Sequence, residues 1–323
     1  MILYIILILI CAVSCVFFSR KRPINLNHDH FLITGGSSGI GLAIATEAVK
    51  LGANVTIIAR SKVRLEEAKR MLCSEIIKSN QNILSFSADV CEQSNRLAEI
   101  VKEAEYNAGP ITFLINCAGT SVCHLFEDTP MEDFSKMMNV NYLGSVNMTY
   151  AVLPLMKQRK RGKIVFVSSL AGLIGLFGYT AYSASKFALF GLAQALQMEV
   201  KPYNISVTVS FPPDTDTPGF AEEIKDKPVE TMRMSESGGL FSAKEVALKT
   251  LQDAFNKKFM SSIGFEGWIL CTLGSGTAPV NSVLELVMQM MTTGFLRLCI
   301  VFYLWKCNDI VYQSAKERER NKS

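Results

Sequence analysis

Thr34-Gly35-Gly36-Ser37-Ser38-Gly39-Ile40-Gly41 lies between a short apolar run, residues 31–33, and a longer run with helical periodicity, residues 40–51. Glycine has no Cβ, so the backbone of such a turn can approach a pyrophosphate, which then meets the amides at the positive end of the following helix. The spacing is G-x-x-x-G-x-G, which differs from the G-x-G-x-x-G of other dinucleotide sites. In this strand-turn-helix setting the stretch predicts phosphate binding, with a purely structural turn as the alternative.

The rest of the chain from His30 alternates short apolar runs with longer amphipathic ones. Strands that alternate with helices of ten or more residues are typical of a parallel, doubly wound α/β sheet of the Rossmann type, buried on both faces. We therefore predict one catalytic domain over residues 30–262. The predicted strands are 31–33, 54–59, 83–87, 112–115, 163–167 and 205–210, and the predicted helices are 40–51, 62–78, 94–106, 131–156 and one that carries Tyr182.

Tyr182 and Lys186 are four residues apart in this last helix. Residues at that spacing lie on one face of a helix, so a phenol and an ammonium can share a cleft. A free phenol has a pKa near 10, and a cation at about 4 Å would favour the phenolate by about 4 kcal/mol at an effective dielectric of about 20. The spacing alone is common, and an exposed Tyr and Lys without a role is the alternative.

Arg60 stands at the end of the second predicted strand, where an NAD site usually carries an acidic residue for the ribose 2′-hydroxyl. A guanidinium binds phosphate through two parallel hydrogen bonds, and Arg64 adds a second charge one helical turn later. These two residues predict NADPH (NADP+) as cofactor. The alternative is that both arginines are solvated charges at the start of a helix.

Composition and charge exclude other classes of protein. The net charge of +4 comes without a basic stripe interleaved with aromatic residues, so nucleic acid is not predicted as a partner. The nine cysteines have no C-x-x-C spacing, and we interpret them as reduced thiols with no metal site. The three histidines form no catalytic pattern, so acid-base chemistry must come from other residues.

The two ends of the chain carry most of the excess of apolar residues. Residues 1–19 have no charge and precede Arg20-Lys21-Arg22, which predicts an uncleaved transmembrane anchor with the following chain on the cytosolic side. A cleaved signal or a short peripheral anchor is the alternative. The sequence leaves the oligomeric state open.

Beyond residue 211 we predict three further segments. Residues 212–242 form a lid over the substrate cleft, with an ordinary surface insertion as the alternative. Residues 263–305 are apolar and predict a membrane-associated region, for instance a helical hairpin broken near residues 292–294. The alternative is a core helix with a seventh strand at residues 268–273. Residues 306–323 are predicted to be a polar, solvated tail.

The ordered motifs between residues 31 and 219 resemble those of the short-chain dehydrogenase/reductase family. The matching positions are Thr34 to Gly41, Asp89, Asn116-Cys117-Ala118-Gly119, Asn141, Ser168-Ser169, Tyr182 and Lys186. The resemblance implies that a serine holds the substrate oxygen, Tyr182 exchanges the proton, Lys186 binds the nicotinamide ribose and lowers the pKa of Tyr182, and Asn141 fixes a water. The implied cofactor contacts are Gly35, Ser37, Ser38, Gly39, Ile40, Gly41, Arg60, Arg64, Asp89, Val90, Asn116, Ala118, Gly119, Tyr182, Lys186, Pro212 and Thr217. Ser169 is thirteen residues before Tyr182, the usual spacing in the family, which favours it over Ser168.

One departure is Pro212-Pro213, where the family usually has Pro-Gly, and it predicts a stiffer loop beside the nicotinamide. Together with neighbouring motifs, this loop resembles the membrane-bound reductases of the family that act on 3-keto sphingoid bases at the endoplasmic reticulum, facing the cytosol. The resemblance implies NADPH-dependent reduction of a long-chain lipid ketone delivered from the bilayer. Asp214 and Asp216 are candidates to hold the substrate amine. The alternatives are a membrane-anchored steroid or retinoid dehydrogenase and a non-catalytic NADP-binding scaffold or sensor.

Overall fold

The computed structural model describes residues 26–92 and 94–320, so the predicted anchor at residues 1–19 lies outside the described residues. Seven parallel strands form the central sheet in the order β3-β2-β1-β4-β5-β6-β9. The strands are β1 His30–Thr34, β2 Asn54–Ala59, β3 Ile83–Ser87, β4 Phe113–Asn116, β5 Gly162–Val167, β6 Ile205–Phe211, β7 Thr215–Asp216, β8 Phe241–Ser242 and β9 Met260–Ser262.

Helices cover both faces of this sheet. They are α1 Gly39–Lys50, α2 Lys62–Ser74, α3 Ser94–Ala108, α4 Met131–Met137, α5 Gly144–Arg159, α6 Thr180–Val200, α7 Pro218–Glu223, α8 Val229–Ser235, α9 Ala243–Phe255, α10 Gly264–Gly274 and α11 Val283–Arg320. One apolar cluster contains side chains of α1, α2 and α9, and the other contains side chains of α3, α5 and α6. Since β1 and β6 are buried along their whole length between these layers, the predicted doubly wound parallel sheet is confirmed.

Two predicted helices end or break at points that the periodicity did not indicate. The helix predicted to residue 78 ends at Ser74, because the side chain of Gln81 accepts hydrogen bonds from the backbone amides of Ile77 and Lys78. The single helix predicted over residues 131–156 contains a π-helical turn, Met138–Leu143, between α4 and α5. This turn buries Asn141 behind the wall of the cleft described below.

The C-terminal region differs from each of its two predicted forms. Residues 268–273 lie inside α10, and the seventh strand is β9, which pairs with β6. Helix α11 runs without interruption through residues 292–294, so the predicted break there is wrong. Among the described residues, α11 is the one helix long and apolar enough to cross a membrane, judged by length and composition.

The insertion between β6 and α9 contains two short helices, α7 and α8. The β7-β8 pair joins the two ends of the insertion, so the insertion leaves the sheet and returns to it at nearly the same point. Helix α8 is held by the far end of α11, where Arg318 donates a hydrogen bond to the buried carboxylate of Glu230. As far as residue 320 the predicted polar tail continues α11 as a helix; most of its residues are exposed, and Cys307 and Ser314 are buried.

Candidate active site

A cleft of about 1290 Å³ opens at the carboxyl ends of the central strands. All of the predicted catalytic and cofactor-binding residues line it except Asn116 and Asn141. This is the edge of an open α/β sheet at which ligands bind in doubly wound folds. The cleft has a cofactor end, between the glycine-rich turn and Arg64, and a substrate end that continues beneath the insertion to α10 and α11.

The glycine-rich turn is packed so closely that side chains are excluded. A Cβ on Gly41 would lie 2.4 Å from the carbonyl oxygen of Gly35, and a Cβ on Gly35, whose φ is +66°, would lie 2.9 Å from Cα of Ala118. Ser38 is the N-cap of α1 but makes no side-chain capping bond, and the first turn of α1 has no acidic residue. Free amides at the positive end of a helix therefore face the cleft, and this arrangement fits a pyrophosphate group.

Thr34 connects this turn to the N-x-A-G element. Its hydroxyl accepts hydrogen bonds from the backbone amides of Cys117 and Ala118, both at 3.0 Å. The end of β1 and the segment after β4 thus form one wall of the cleft. Ala118 and Gly119 lie on that wall, as predicted from the sequence.

Asn116 lies behind the wall and does not line the cleft. Its Nδ2 donates to the hydroxyl of Thr149 at 3.1 Å, and its Oδ1 is buried with no hydrogen-bond partner among the described residues. The predicted direct contact between Asn116 and the cofactor is therefore not seen in this arrangement. The side chain instead fixes the end of β4 against α5.

Arg60 and Arg64 are exposed at the rim of the cofactor end. Arg64 is in the first turn of α2, whose N-cap Ser61 accepts from the Arg64 amide. Across the cleft, the Asp89 carboxylate accepts a hydrogen bond from the amide of Cys91 at 2.9 Å, which fixes the loop after β3. Two guanidinium groups beside a helix N-terminus give this end the charge that a phosphorylated ribose would need.

Tyr182 and Lys186 lie in the first two turns of α6, at the centre of the cleft. Burial raises the pKa of Tyr182, the charges of Glu223 and Asp214 raise it further, and a hydrogen bond with Ser169 opposes them. Burial lowers the pKa of Lys186 to about 8. The expected net fall in the pKa of Tyr182 is therefore wrong for this arrangement, because the Lys186 ammonium donates to the Val167 carbonyl at 3.0 Å and lies 5.6 Å from the Tyr182 ring centroid.

The two adjacent serines point in different directions. The Ser168 hydroxyl donates to the backbone carbonyl of Lys186 at 3.0 Å and is buried against Gly172. The Ser169 hydroxyl faces the phenol of Tyr182 and also accepts from the amide of Ala171 at 3.2 Å. Ser169 is thus the serine whose hydroxyl can meet the same substrate oxygen as Tyr182.

Asn141 is buried in the π-helical turn behind Lys186. Its amide oxygen accepts from the Thr120 amide at 2.9 Å, and its Nδ2 donates to the Thr120 carbonyl at 3.0 Å and to the Ser185 hydroxyl at 2.9 Å. Gly119 separates Asn141 from Lys186, since a Cβ there would be 3.1 Å from Asn141 Oδ1 and 3.5 Å from Lys186 Nζ. Asn141 therefore orients the cleft wall around Lys186.

Pro212 and Thr217 bring the insertion onto the cofactor end. The Pro212 carbonyl accepts from the amide of Leu170 at 3.0 Å. The Thr217 hydroxyl caps α7 by accepting from Phe220 at 3.1 Å, and a Cβ on Gly39 would lie 3.1 Å from the Thr217 methyl. The insertion consequently begins in contact with the glycine-rich turn.

Three residues at the substrate end were missed by the sequence analysis. Tyr179 donates a hydrogen bond to the carboxylate of Glu223, and Lys227 lies 3.5 Å from that carboxylate. The ring of Tyr179 is 5.3 Å from that of Tyr182, centroid to centroid. The i, i+4 spacing of Glu223 and Lys227 was a signal for an ion pair. The lid predicted over residues 212–242 did not indicate which of its side chains approach Tyr182.

The substrate end becomes apolar where it passes beneath the insertion. It is lined there by Leu170, Ile174, Leu176, Met234, Ile269, Leu270, Cys299, Ile300 and Tyr303. The last three belong to α11, which also leaves large apolar side chains exposed, among them Phe295, Phe302 and Trp305. One helix therefore forms both a wall of the cleft and an apolar outer surface.

The family model and the curated relatives that match this chain indicate the same family. The family model described as short chain dehydrogenase matches residues 29–228. The 3-dehydrosphinganine reductase of Danio rerio is 47% identical over 302 residues, covering 94% of this chain and 91% of that protein. The 3-ketodihydrosphingosine reductase of Mus musculus is 48% identical over 299 residues, covering 93% of this chain and 90% of that protein.

A solved structure agrees on the fold. The crystal structure of levodione reductase aligns with a TM-score of 0.67 over 79% of this chain and 100% of that chain. Its sequence is 21% identical, so this likeness concerns the fold alone.

Proposed function

The chain belongs to the short-chain dehydrogenase family, and from that premise we propose that it reduces 3-ketodihydrosphingosine to dihydrosphingosine with NADPH. The observation that carries the proposal is a cleft in which Ser169, Tyr182 and Lys186 stand between a phosphate-binding turn and an apolar channel. Relatives that bear this activity in their names align over more than nine-tenths of the chain. The protein is an oxidoreductase of the ketone/alcohol class.

The cofactor is a nicotinamide dinucleotide, which supplies a hydride to the carbonyl carbon when bound. The free amides at the start of α1 would hold its pyrophosphate. Arg60 and Arg64 support the choice of NADPH, because their charges suit a 2′-phosphate and no acidic residue stands at the end of β2.

Proton donation to the carbonyl oxygen falls to Tyr182. A phenol whose pKa is raised stays protonated through the physiological range, and this is the form that reduction requires. The Ser169 hydroxyl lies beside that phenol and would donate a hydrogen bond to the same oxygen, stabilising the charge that develops there. Lys186, whose ammonium lies 5.6 Å from the Tyr182 ring centroid, would bind the ribose of the nicotinamide end of the cofactor.

The apolar channel would hold the alkyl chain of the substrate. A methylene moved from water to an apolar site gains about 0.8 kcal/mol, so complete extraction of a twelve-carbon chain into water would cost on the order of 10 kcal/mol. Delivery from a bilayer avoids this cost. Helix α11, apolar on its outer face and part of the channel wall, supports membrane association, and we place the protein at the endoplasmic reticulum with the cleft in the cytosol.

The test is an assay of the detergent-solubilised full chain with NADPH or NADH and three classes of ketone. We expect efficient reduction of a long-chain 3-keto-2-amine, and little of a steroid ketone or of retinal. Tyr182→Phe should bind NADPH normally and lose more than about 100-fold in kcat, since only the proton donor is removed. Preference of the wild-type enzyme for the steroid or for retinal would overturn the substrate, and binding of NADPH without turnover of any ketone would overturn the activity.

Cofactor choice is tested separately with Arg60→Asp. The carboxylate would repel a 2′-phosphate and accept from a 2′-hydroxyl, so the ratio of kcat/KM for NADPH to that for NADH should fall by at least about 10-fold. Arg70→Asp is the matched control, because Arg70 is an exposed arginine on α2, the helix that follows Arg60, and it does not line the cleft. Equal ratios in the wild type and in both variants would remove Arg60 from the cofactor site.

A further inference from the structure

We propose that Glu223 binds the substrate ammonium group next to the ketone and thereby selects 2-amino ketones over neutral ones. This inference rests on the proposed function, since it assigns a residue to one group of that substrate. It concerns a carboxylate inside the substrate end of the cleft.

The position of Glu223 relative to Tyr182 is the first argument. Glu223 is the last residue of α7, it lines the cleft, and its side chain is 11% exposed. Its carboxylate accepts a hydrogen bond from Tyr179, whose ring centroid is 5.3 Å from that of Tyr182. The Glu223 carboxylate is thus held next to Tyr179, and Tyr179 is in turn next to Tyr182, the proton donor.

The geometry of the substrate favours an anion close to Tyr182. In a 2-amino ketone the nitrogen and the carbonyl oxygen are on adjacent carbons, so the ammonium must lie close to Tyr182 when the oxygen meets Ser169. A carboxylate accepts from an ammonium at about 2.8 Å. Glu223 is placed to accept while the ketone stays on the two catalytic hydroxyls.

The balance of charge around Glu223 is the second argument. Lys227 lies 3.3 Å from the Asp214 carboxylate and 3.5 Å from that of Glu223, and its side chain is 2% exposed. Two carboxylates therefore share one buried ammonium, which leaves one negative charge in excess in this group of three. A charge withdrawn from water without a partner is costly, and one cation from the substrate would balance it.

The two acidic residues proposed from the sequence fit less well. Asp216 is exposed and does not line the cleft. Asp214 does line it, but it makes the closer contact with Lys227. Glu223 is the carboxylate joined to Tyr179, and its negative charge acts on Tyr182. This charge gives the enzyme a reason to prefer a cationic substrate, because a neutral ketone would leave it uncompensated.

The first measurement uses the wild-type full chain with two ketones of equal chain length, one carrying the 2-amino group and one lacking it. We expect kcat/KM to be at least about 10-fold higher for the amino ketone. Equal values would overturn this inference while leaving the proposed reductase intact. Reduction of neither ketone would instead overturn the proposed function.

The second measurement compares Glu223→Gln with Asp216→Asn on the same two ketones. Glu223→Gln should raise KM for the amino ketone by at least about 10-fold and should leave kcat/KM for the neutral ketone unchanged or raise it, whereas Asp216→Asn should behave as wild type on both. Equal losses on both ketones would assign Glu223 a structural role, and no loss on either would exclude it from the site. NADPH binding and Tm show whether Glu223→Gln folds. If it does not fold, the comparison of the two ketones with the wild-type enzyme tests the inference.

Discussion

The hydroxyls of Ser168 and Ser169 are adjacent in sequence and have different surroundings, so substitution should separate their roles. Ser169→Ala removes a donor to the substrate oxygen, and we expect kcat to fall by about 10² to 10³. Ser168→Ala removes a hydrogen bond to the Lys186 carbonyl, which should cost about 1 kcal/mol of stability and less than about 10-fold in kcat. Steady-state kinetics and thermal unfolding of both variants test this, and the reverse order of kcat losses would contradict the assignment.

Lys186 illustrates the cost of building a catalytic group into the interior. Burial lowers its pKa from 10.5 to about 8, a difference that corresponds to roughly 3 kcal/mol at about 1.4 kcal/mol per unit. Below pH 8 Lys186 is charged in both the folded and unfolded states, so the free energy of folding includes the cost of burying its charge. Between pH 8 and 10.5 the unfolded chain binds more protons, so wild-type stability should rise with pH over that window.

Lys186→Met should therefore lose turnover and gain stability. The gain at pH 7 is at most about 3 kcal/mol, reduced by the loss of the donor to the Val167 carbonyl. It should shrink as the pH rises from 8 towards 10.5, where the wild-type lysine becomes neutral. Thermal unfolding of both proteins at pH 7, 8.5 and 10 measures the difference. A variant less stable than wild type at every pH would contradict the burial argument.

At the scale of elements, α11 fixes the insertion through one buried carboxylate. Glu230 on α8 is 1% exposed and receives a hydrogen bond from Arg318, whose side chain is 48% exposed. Arg318→Ala would leave Glu230 buried without this partner, and because water screens the arginine we expect a local cost on the order of 1–3 kcal/mol. Backbone amides of α8 should then exchange hydrogen about 5-fold to 150-fold faster.

The matched control for this prediction is Arg297→Ala, which removes an exposed arginine from the same helix. It should leave amide exchange in α8 unchanged. If both variants, or neither of them, accelerate exchange there, the Glu230–Arg318 contact does not hold the insertion.

The elements that sequence alone predicted well are those specified by local pattern. Strands β2 and β3 both have the predicted bounds. In β2, β-branched residues fill positions that are buried on both faces, whereas β3 lies at the edge of the sheet and only its Ile83 is buried. The π-helical turn and the early end of α2 depend on tertiary or medium-range hydrogen bonds, such as those of Asn141 and Gln81, which periodicity does not report.

The same distinction applies to the candidate site. The glycine-rich turn, Tyr182 and Lys186 follow from short spacings and lie together in the cleft. Glu223 could not be placed from the sequence, because it reaches Tyr179 only after the insertion folds back over the sheet, 44 positions along the chain. Asn116 was assigned a cofactor contact from a motif, and the direction of its side chain could be known only from the packing of α5.

For the molecule as a whole, Asn204 provides a test of membrane orientation. Residues 204–206 read Asn-Ile-Ser, an N-glycosylation sequon, and Asn204 is exposed in a left-handed conformation just before β6. A lumenal domain could be glycosylated at Asn204, whereas the proposed cytosolic domain would not be.

We expect protein from sealed microsomes to keep its electrophoretic mobility after glycosidase treatment and to be degraded by added protease. Asn204→Gln should migrate as wild type. A mobility shift that Asn204→Gln abolishes, together with protection from protease, would place the catalytic domain in the lumen.

Helix α11 is at once a wall of the cleft and an apolar outer surface. The enzyme should therefore take its substrate from the lipid film, where the substrate is dissolved in two dimensions. The concentration that governs its rate would be the mole fraction of ketone in the lipid film, and bulk molarity would have little meaning. Diluting the film with inert phospholipid at constant total ketone should slow turnover, as in surface-dilution kinetics. By the same reasoning, a single-chain detergent added to solubilise the protein would compete for the channel, and its apparent inhibition would depend on its tail length.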